Sequence, residues 1–123
     1  PGKETILLVD DEKMILEVGQ KLLEKLGYRV KTAGSGREAI EGYRREQDAI
    51  DLVILDMVMP TMGGGQTYDA LKTINPDIPV LLSSGYSLNG QASDILERGC
   101  RGFIQKPFDL GTLSRKLRSI LDD

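Results

Sequence analysis

The sequence predicts an α/β fold, a doubly wound domain built around a mostly parallel sheet of five strands. Two observations support this prediction. Short apolar runs alternate with longer segments of helical periodicity from one end of the chain to the other. The connections between them are short, and no linker, internal repeat or low-complexity tract interrupts the alternation. Such an order of elements is typical of a parallel sheet covered by helices on both faces.

The first three elements have clear patterns. Thr5 to Val9 is a nearly continuous apolar run, as in a strand buried on both faces. Lys13 to Leu26 has apolar residues at helical spacing, and Gly27 is placed to stop this helix. Tyr28 to Ala33 alternates apolar and polar residues, which predicts a second, more exposed strand.

The remaining elements follow the same alternation. Ser35 and Glu38 form a capping box ahead of the second helix. Three further strands are predicted, at Leu52–Leu55, Val80–Leu82 and Gly102–Gln105. Three further helices are predicted: one ending at Asn75-Pro76, a fourth helix with Ile95 and Leu96 that Gly99 ends, and a last helix that Asp109 can cap.

Composition narrows the function. With 123 residues, the chain is long enough for one domain with a single core. No apolar run approaches the roughly 20 residues of a membrane helix, so we expect no membrane insertion. A net charge of −3 gives no electrostatic footprint for direct nucleic-acid binding. The chain has no histidine, which excludes Ser-His-Asp catalysis and His-bound zinc. The single cysteine, Cys100, fits a reducing compartment, and we expect a cytoplasmic protein.

Polar residues follow four of the predicted strands. They are Asp10, Asp11 and Glu12 after the first strand, Asp56 after the third, Ser83 and Ser84 after the fourth, and Lys106-Pro107 after the fifth. In a doubly wound sheet these positions meet at the carboxyl edge. Carboxylates beside one ammonium repel one another unless a cation lies among them, and a hard ion such as Mg²⁺ suits carboxylate ligands. Mg²⁺ and Lys106 together could neutralise the oxygens of a phosphoryl group under attack by a carboxylate, and Ser84 could donate a hydrogen bond to it.

Three motifs carry a family resemblance. LLVDDE (residues 7–12), LVILDMVMP (52–60) and FIQKPF (103–108) resemble the signatures of bacterial two-component response-regulator receiver domains. The resemblance covers residues 5 to 122, essentially the whole chain, and each motif alone is weak. LLSSGYS (81–87) and FIQKPF are most similar to receivers of hybrid sensor histidine kinases, although a standalone regulator or one severed from a DNA-binding domain stays open.

The resemblance implies a flavodoxin-like (βα)5 fold with strand order 2-1-3-4-5, in which residues 1–4 form a tail and residues 5–122 the receiver domain. It implies that Asp56 is the phosphoacceptor. Asp10 and Asp11 would hold Mg²⁺, with Asp11 the direct ligand and Asp10 acting partly through water, and the backbone carbonyl of Val58 would complete the protein ligands.

The resemblance also assigns the other groups. Lys106 would contact the phosphoryl oxygens, and its peptide bond to Pro107 would be cis. Ser84 would be the switch hydroxyl and Phe103 the switch aromatic. The family often has threonine and tyrosine at these two positions, so the coupling of the switch stays open.

A partner would supply the phosphoryl group. The resemblance implies a histidine kinase or a phosphotransfer domain as the phosphohistidine donor, with a possible output domain or kinase core in the same full-length protein. The surface that changes would involve roughly Leu88 to Arg98, Gly102 to Gln105 and Leu110 to Leu121. The domain would be a signalling module that assists only its own phosphorylation and dephosphorylation, and not a true enzyme.

Other interpretations of the same residues compete with this one. Asp11 could simply cap the first helix, Ser83 could replace Ser84 as the switch hydroxyl, and Phe103 could be an ordinary core residue. A hydrolase of the haloacid-dehalogenase type would need a second acid where Val58 stands. A flavin carrier would meet repulsion at the acidic residues after the first strand, and a degenerate receiver would have no reason to keep the full set of site residues.

Overall fold

The computed structural model of the chain describes residues 3–57, 63–85 and 100–122. Its centre is a five-stranded sheet in which every neighbouring pair of strands is parallel. The strands are β1 (Thr5–Val9), β2 (Arg29–Ala33), β3 (Leu52–Asp56), β4 (Val80–Ser84) and β5 (Gly102–Gln105). Their spatial order is β2-β1-β3-β4-β5, which confirms the predicted doubly wound, flavodoxin-like topology.

Four helices alternate with the strands in the described ranges. They are α1 (Lys13–Lys25), α2 (Gly36–Glu46), α3 (Gly64–Ile74) and the C-terminal helix (Leu110–Leu121). The predicted fourth helix, with Ile95 and Leu96, lies outside the described residues. Within the described ranges, no helix has the length and apolar character needed to cross a membrane.

The predicted helix ends are largely correct. Gly27 has a φ of 97°, a left-handed conformation that glycine adopts at no steric cost just after α1. The Ser35 side chain accepts a hydrogen bond from the Glu38 backbone N–H at 3.1 Å. The Glu38 carboxylate, however, accepts from the N–H of Gly34 and not from that of Ser35, so the box closes one residue earlier than the standard pattern. Asp109 caps the C-terminal helix by accepting from the Thr112 N–H.

The core has two layers, one on each face of the sheet. Odd-numbered residues of β1 and β3 pack with side chains of α2 and α3, such as Tyr43 and Leu71. Even-numbered residues of the same strands pack with side chains of α1 and the C-terminal helix, such as Leu23 and Leu113. All residues of β1, β3 and β4 are buried, whereas β2 at the edge is largely exposed, as its alternating pattern predicted.

Strand register aligns the carboxyl ends of the strands. Asp56, the last residue of β3, pairs with Ser83 in β4, and Ser83 pairs in turn with Ile104 in β5. Val9 in β1 pairs with Leu55 in β3, so Asp10 follows its strand at the level of Asp56. Strands β3 and β4 thus run one and two residues farther than predicted, so Asp56, Ser83 and Ser84 end their strands, while Asp10 follows β1 at the same edge of the sheet.

Candidate functional site

Two buried carboxylates lie at the carboxyl edge of the sheet. Asp10 and Asp56 are each only 1% exposed to solvent. The backbone holds Asp10 on one side, because its N–H donates to the carbonyl of Ala33 at the end of β2. Carboxylates this buried need compensation for the water they have lost, from hydrogen bonds, cations or both.

Lys106 provides part of that compensation. Its Nζ lies 2.9 Å from Asp10 Oδ2 and 3.3 Å from Asp56 Oδ1, so one ammonium donates to both buried carboxylates. Glu12 is farther away, with its Oε1 3.9 Å from the same Nζ. The Lys106 N–H donates to the carbonyl of Ser84 at 2.7 Å, which fixes the backbone at the start of the side chain. Lys106 is 96 positions from Asp10 and 50 positions from Asp56 in the sequence, and the fold brings all three side chains into contact.

The charge state of Lys106 follows from these contacts. Burial by itself acts to lower the pKa of this ammonium, but the hydrogen bond to Asp10 and the negative charges of Asp56 and Asp10 act in the opposite direction. The net result is a pKa raised above the ordinary value of 10.5. Lys106 is therefore a fixed positive charge at neutral pH.

Asp11 completes an acidic group. One carboxylate oxygen from each of Asp10, Asp11 and Asp56 can be chosen so that all three lie within 4.8 Å of one another. Asp11 is exposed whereas the other two are buried, so this group opens to solvent on the Asp11 side. Three hard oxygen donors at this spacing, with an open side for water ligands, fit a magnesium ion. The expectation that an acidic cation site lies at this edge is supported by the donor set itself.

The simple helix-cap explanation for Asp11 does not fit. Helix α1 begins at Lys13 and its N-cap is Glu12, which places Asp11 one residue before the capping position. The Glu12 N–H instead donates to Asp10 Oδ1 at 2.9 Å. The turn between β1 and α1 therefore orients Asp10, and the Asp11 side chain stays at the acidic site.

The other predicted site residues are placed as follows. Ser84 is 4% exposed. Leu82, two residues before Ser84, pairs with Phe103 in β5. Ser84 and Phe103 are therefore diagonal neighbours on one face of the sheet. Phe103 is partly buried against the core of that face. The Lys106-Pro107 peptide bond is cis, as the resemblance implied. Val58 lies outside the described residues.

Sequence reasoning missed one contact that shapes this edge. A Cβ atom built on Gly19 in α1 would lie 2.7 Å from Leu8 Cδ2 and 3.5 Å from Phe108 Cε2. Glycine thus lets α1 approach both the sheet and the segment that carries Lys106. The available signal was a glycine inside an otherwise good helix pattern, a position that calls for a packing explanation.

Comparison with known proteins agrees with this geometry. A family model described as response regulator receiver domain matches residues 6–118. The sensor kinase CckA of Brucella abortus is 35% identical over 121 residues, which cover 98% of this chain and 13% of CckA. The transcriptional regulatory protein ZraR of Escherichia coli is 38% identical over 116 residues, which cover 94% of this chain and 26% of ZraR. The chain therefore spans about a quarter or less of the length of these relatives.

A solved structure is similar over nearly the whole chain. The crystal structure of the CheX–CheY–BeF3–Mg²⁺ complex from Borrelia burgdorferi contains a chain that matches with a TM-score of 0.89 and 26% identity. The match covers 95% of this chain and 88% of that one. The fold and the sequence thus lead to the same family.

Proposed function

The chain belongs to the response regulator receiver domain family, and from this premise we propose that it is phosphorylated on Asp56 with the help of Mg²⁺. Receiver domains are phosphoacceptor signalling modules and not classical enzymes. The observation that carries the proposal is the acidic group of Asp10, Asp11 and Asp56, three carboxylates within 4.8 Å, with Lys106 bonded to two of them. The proposed domain spans residues 5–122.

The carboxylates would hold the metal. Asp11, exposed, would be the direct ligand, and Asp10 would act partly through water, with the backbone carbonyl of Val58 and Asp56 as further ligands. Mg²⁺ is supported by the all-oxygen donor set and by the magnesium complex of the Borrelia relative. When bound, the ion supplies positive charge that lowers the repulsion between a carboxylate and an incoming phosphoryl group.

The side chains would then perform the transfer. An oxygen of Asp56 attacks the phosphorus in line, and a phosphorus–oxygen bond forms as the bond to the leaving group breaks. With a phosphohistidine donor, the imidazole nitrogen of the partner keeps the electron pair. Lys106 already lies 3.3 Å from Asp56 Oδ1 and carries a fixed positive charge, so it can move to the phosphoryl oxygens without a change of protonation.

Phosphorylation would be transmitted through the sheet. Ser84 would donate its hydroxyl to the phosphoryl group, and Phe103 would move in response. Their diagonal positions on one face support a direct coupling between them, because diagonal neighbours in a sheet are within reach of large side chains. The changed surface would include β5 and the C-terminal helix, together with residues 88–98, which lie outside the described residues.

The partner would be a histidine kinase or a phosphotransfer domain. Family membership implies a histidine kinase partner. The relatives named above are much longer proteins, a sensor kinase in one case and a transcriptional regulatory protein in the other. A receiver within a hybrid kinase is the proposed context, since LLSSGYS and FIQKPF are most similar to such receivers. A cytoplasmic location is part of this proposal, because a receiver must meet its kinase there.

Intact-protein mass spectrometry after acetyl phosphate treatment tests the proposal. We expect one phosphoryl adduct in the presence of Mg²⁺, little or none with a chelator, and none in Asp56→Asn. Asp48→Asn is a matched control, because Asp48 is an exposed aspartate before β3 and away from the carboxyl edge.

Two results would contradict the proposal. An equally stoichiometric adduct in Asp56→Asn would move the phosphoacceptor to another residue. The lack of any adduct in the wild type, with Mg²⁺ binding shown separately, would indicate a degenerate receiver that acts only through its surface.

A further inference from the structure

The hydroxyl of Ser83 is a buried polar group outside the site proposed above. Ser83 is 1% exposed, and its Oγ has no hydrogen-bond partner among the residues that the structure describes. Its backbone carbonyl accepts from the Met57 N–H at 2.9 Å. A buried hydroxyl that has given up water without a partner is unfavourable, so its presence calls for a role.

Strand register places Ser83 beside Asp56, the proposed phosphoacceptor. It pairs with Asp56 in β3 and with Ile104 in β5, and register partners in parallel strands point to the same face. Neighbouring strands lie about 4.8 Å apart. Ser83 is therefore the β4 residue in register with Asp56, whereas Ser84 points to the opposite face of the sheet at its own position.

Lys106 reaches across the strand that carries Ser83. Its side chain starts just after β5 and reaches Asp56 at the end of β3, while β4 lies between these two strands. The side chain therefore reaches across the end of β4, where Ser83 is the second-to-last residue of the strand. A phosphoryl group that draws the ammonium outward would bring oxygen atoms to this position.

We infer that the Ser83 hydroxyl is a second hydroxyl donor to the phosphoryl group on Asp56, acting from the face opposite to that of Ser84. The inference rests on the proposed function. The hydroxyl makes a hydrogen bond only: the new bond joins phosphorus to an Asp56 oxygen, the leaving group departs with its electron pair, and the proton stays on Ser83. The donor is already desolvated, so its hydrogen bond to a charged oxygen is stronger than it would be in water.

A simpler explanation is that Ser83 is merely small. In that case only the size of the side chain would matter at this buried position, and alanine would serve equally well. The two explanations differ in what the hydroxyl does, so the test must change the hydroxyl and the size separately. Threonine and valine have the same shape and differ only in the hydroxyl, which makes Ser83→Thr and Ser83→Val a matched pair.

The experiment measures the initial rate of adduct formation with acetyl phosphate and Mg²⁺ for the wild type, Ser83→Ala, Ser83→Thr and Ser83→Val. We expect Ser83→Ala to be about tenfold slower than the wild type and Ser83→Val about tenfold slower than Ser83→Thr, the effect of one hydrogen bond to a charged group. The thermal midpoint of unphosphorylated Ser83→Ala should equal or exceed that of the wild type, because alanine removes a buried hydroxyl that the described residues leave without a partner.

Equal rates within each pair would overturn the inference and leave the proposed function intact. So would a normal rate in Ser83→Ala with equal losses in Ser83→Thr and Ser83→Val, which would show that only size matters. If the wild type itself forms no adduct, both the proposed function and this inference fail.

Discussion

The two ends of the sheet each hold a basic residue among carboxylates, but they balance charge differently. At the carboxyl edge, Lys106, whose side chain is 9% exposed, contacts the two buried carboxylates of Asp10 and Asp56, and the exposed Asp11 completes the acidic group. At the amino edge, Arg118 of the C-terminal helix bonds Glu4 at 2.7 Å and Asp122 at 3.0 Å, and its own side chain is 28% exposed. Arg118 also lies 5.8 Å from the ring centroid of Tyr28.

The difference separates a functional site from a structural contact. At the amino edge, ion pairs join the N-terminal segment to the last helix, and water and salt can screen these charges. The ion pairs therefore have little desolvation cost and contribute little to the free energy of unfolding. The carboxyl edge keeps an excess of negative charge in a buried place, which disfavours folding unless a cation binds. Buried charges that disfavour folding are concentrated at functional sites, so the unbalanced carboxylates indicate function at this edge.

Replacement of the basic residue should give the largest difference in unfolding free energy between the two edges. Lys106→Met leaves Asp10 and Asp56 buried without their ammonium, and we expect the free energy of unfolding to fall by about 3 kcal/mol. Arg118→Met, the matched change at the amino edge, should cost about 1 kcal/mol or less. Urea unfolding at neutral pH with a chelator measures both values.

The pH dependence of the Lys106 effect has a defined sign. Because the folded-state pKa of Lys106 is raised above 10.5, its stabilisation is fully present below that pH and is lost as pH rises through the folded-state pKa. The difference between the wild type and Lys106→Met should therefore hold from neutral pH up to about pH 10.5 and shrink above it. Equal losses in Lys106→Met and Arg118→Met would mean that the carboxyl edge is an ordinary ion pair.

Removal of one acid should act in the opposite direction at the carboxyl edge. Asp56→Asn relieves like-charge repulsion while Lys106 keeps its 2.9 Å bond to Asp10, so we expect the chelated protein to gain about 1 kcal/mol in unfolding free energy. The wild type should gain about 2.7 kcal/mol when Mg²⁺ is raised to a hundred times its dissociation constant. Asp56→Asn should gain much less, because it has lost a ligand.

Thermal and urea unfolding with and without Mg²⁺ check this prediction. Asp51→Asn is a contrasting control, because the Asp51 carboxylate accepts from the Thr5 N–H at 2.8 Å at the start of β1, far from the acidic group. It should lose stability and keep the Mg²⁺ response of the wild type. A destabilised Asp56→Asn would show that repulsion among the acids matters less than the favourable contacts of the Asp56 carboxylate.

The two edges also differ in how well the sequence predicts them. The carboxyl edge was predictable because each acid directly follows an apolar run, and a parallel sheet must bring such positions together. The amino edge was not predictable, since Glu4 and Arg118 are 114 residues apart and neither belongs to a strand-end pattern. Long surface side chains meet by tertiary packing that leaves no periodic signal in the chain.

Within the carboxyl edge, sequence reasoning also had a limit. It placed Lys106 near the acids but could not show that its side chain reaches across β4 to Asp56, because that depends on the register of three strands. Gly19 is similar, since only the folded helix reveals a 2.7 Å approach to Leu8. Periodicity predicts which residues form an element, whereas the contacts between elements depend on their packing.

The smallest expected effect is at the amino edge. Glu4→Gln removes the charge that accepts from Arg118 while it keeps the shape, and we expect a loss of about 0.5 kcal/mol after solvent screening. The hydrogen bond from Arg118 holds the pKa of Glu4 below its ordinary value of 4.5, so this stabilisation is present above pH 4.5 and is lost as pH falls through the folded-state pKa. The unfolding free energies of the wild type and Glu4→Gln should therefore converge in acid. The two proteins should have the same Mg²⁺ response. A Mg²⁺ response that weakens in Glu4→Gln would show that the two edges are coupled through β1, and the comparison between them would no longer hold.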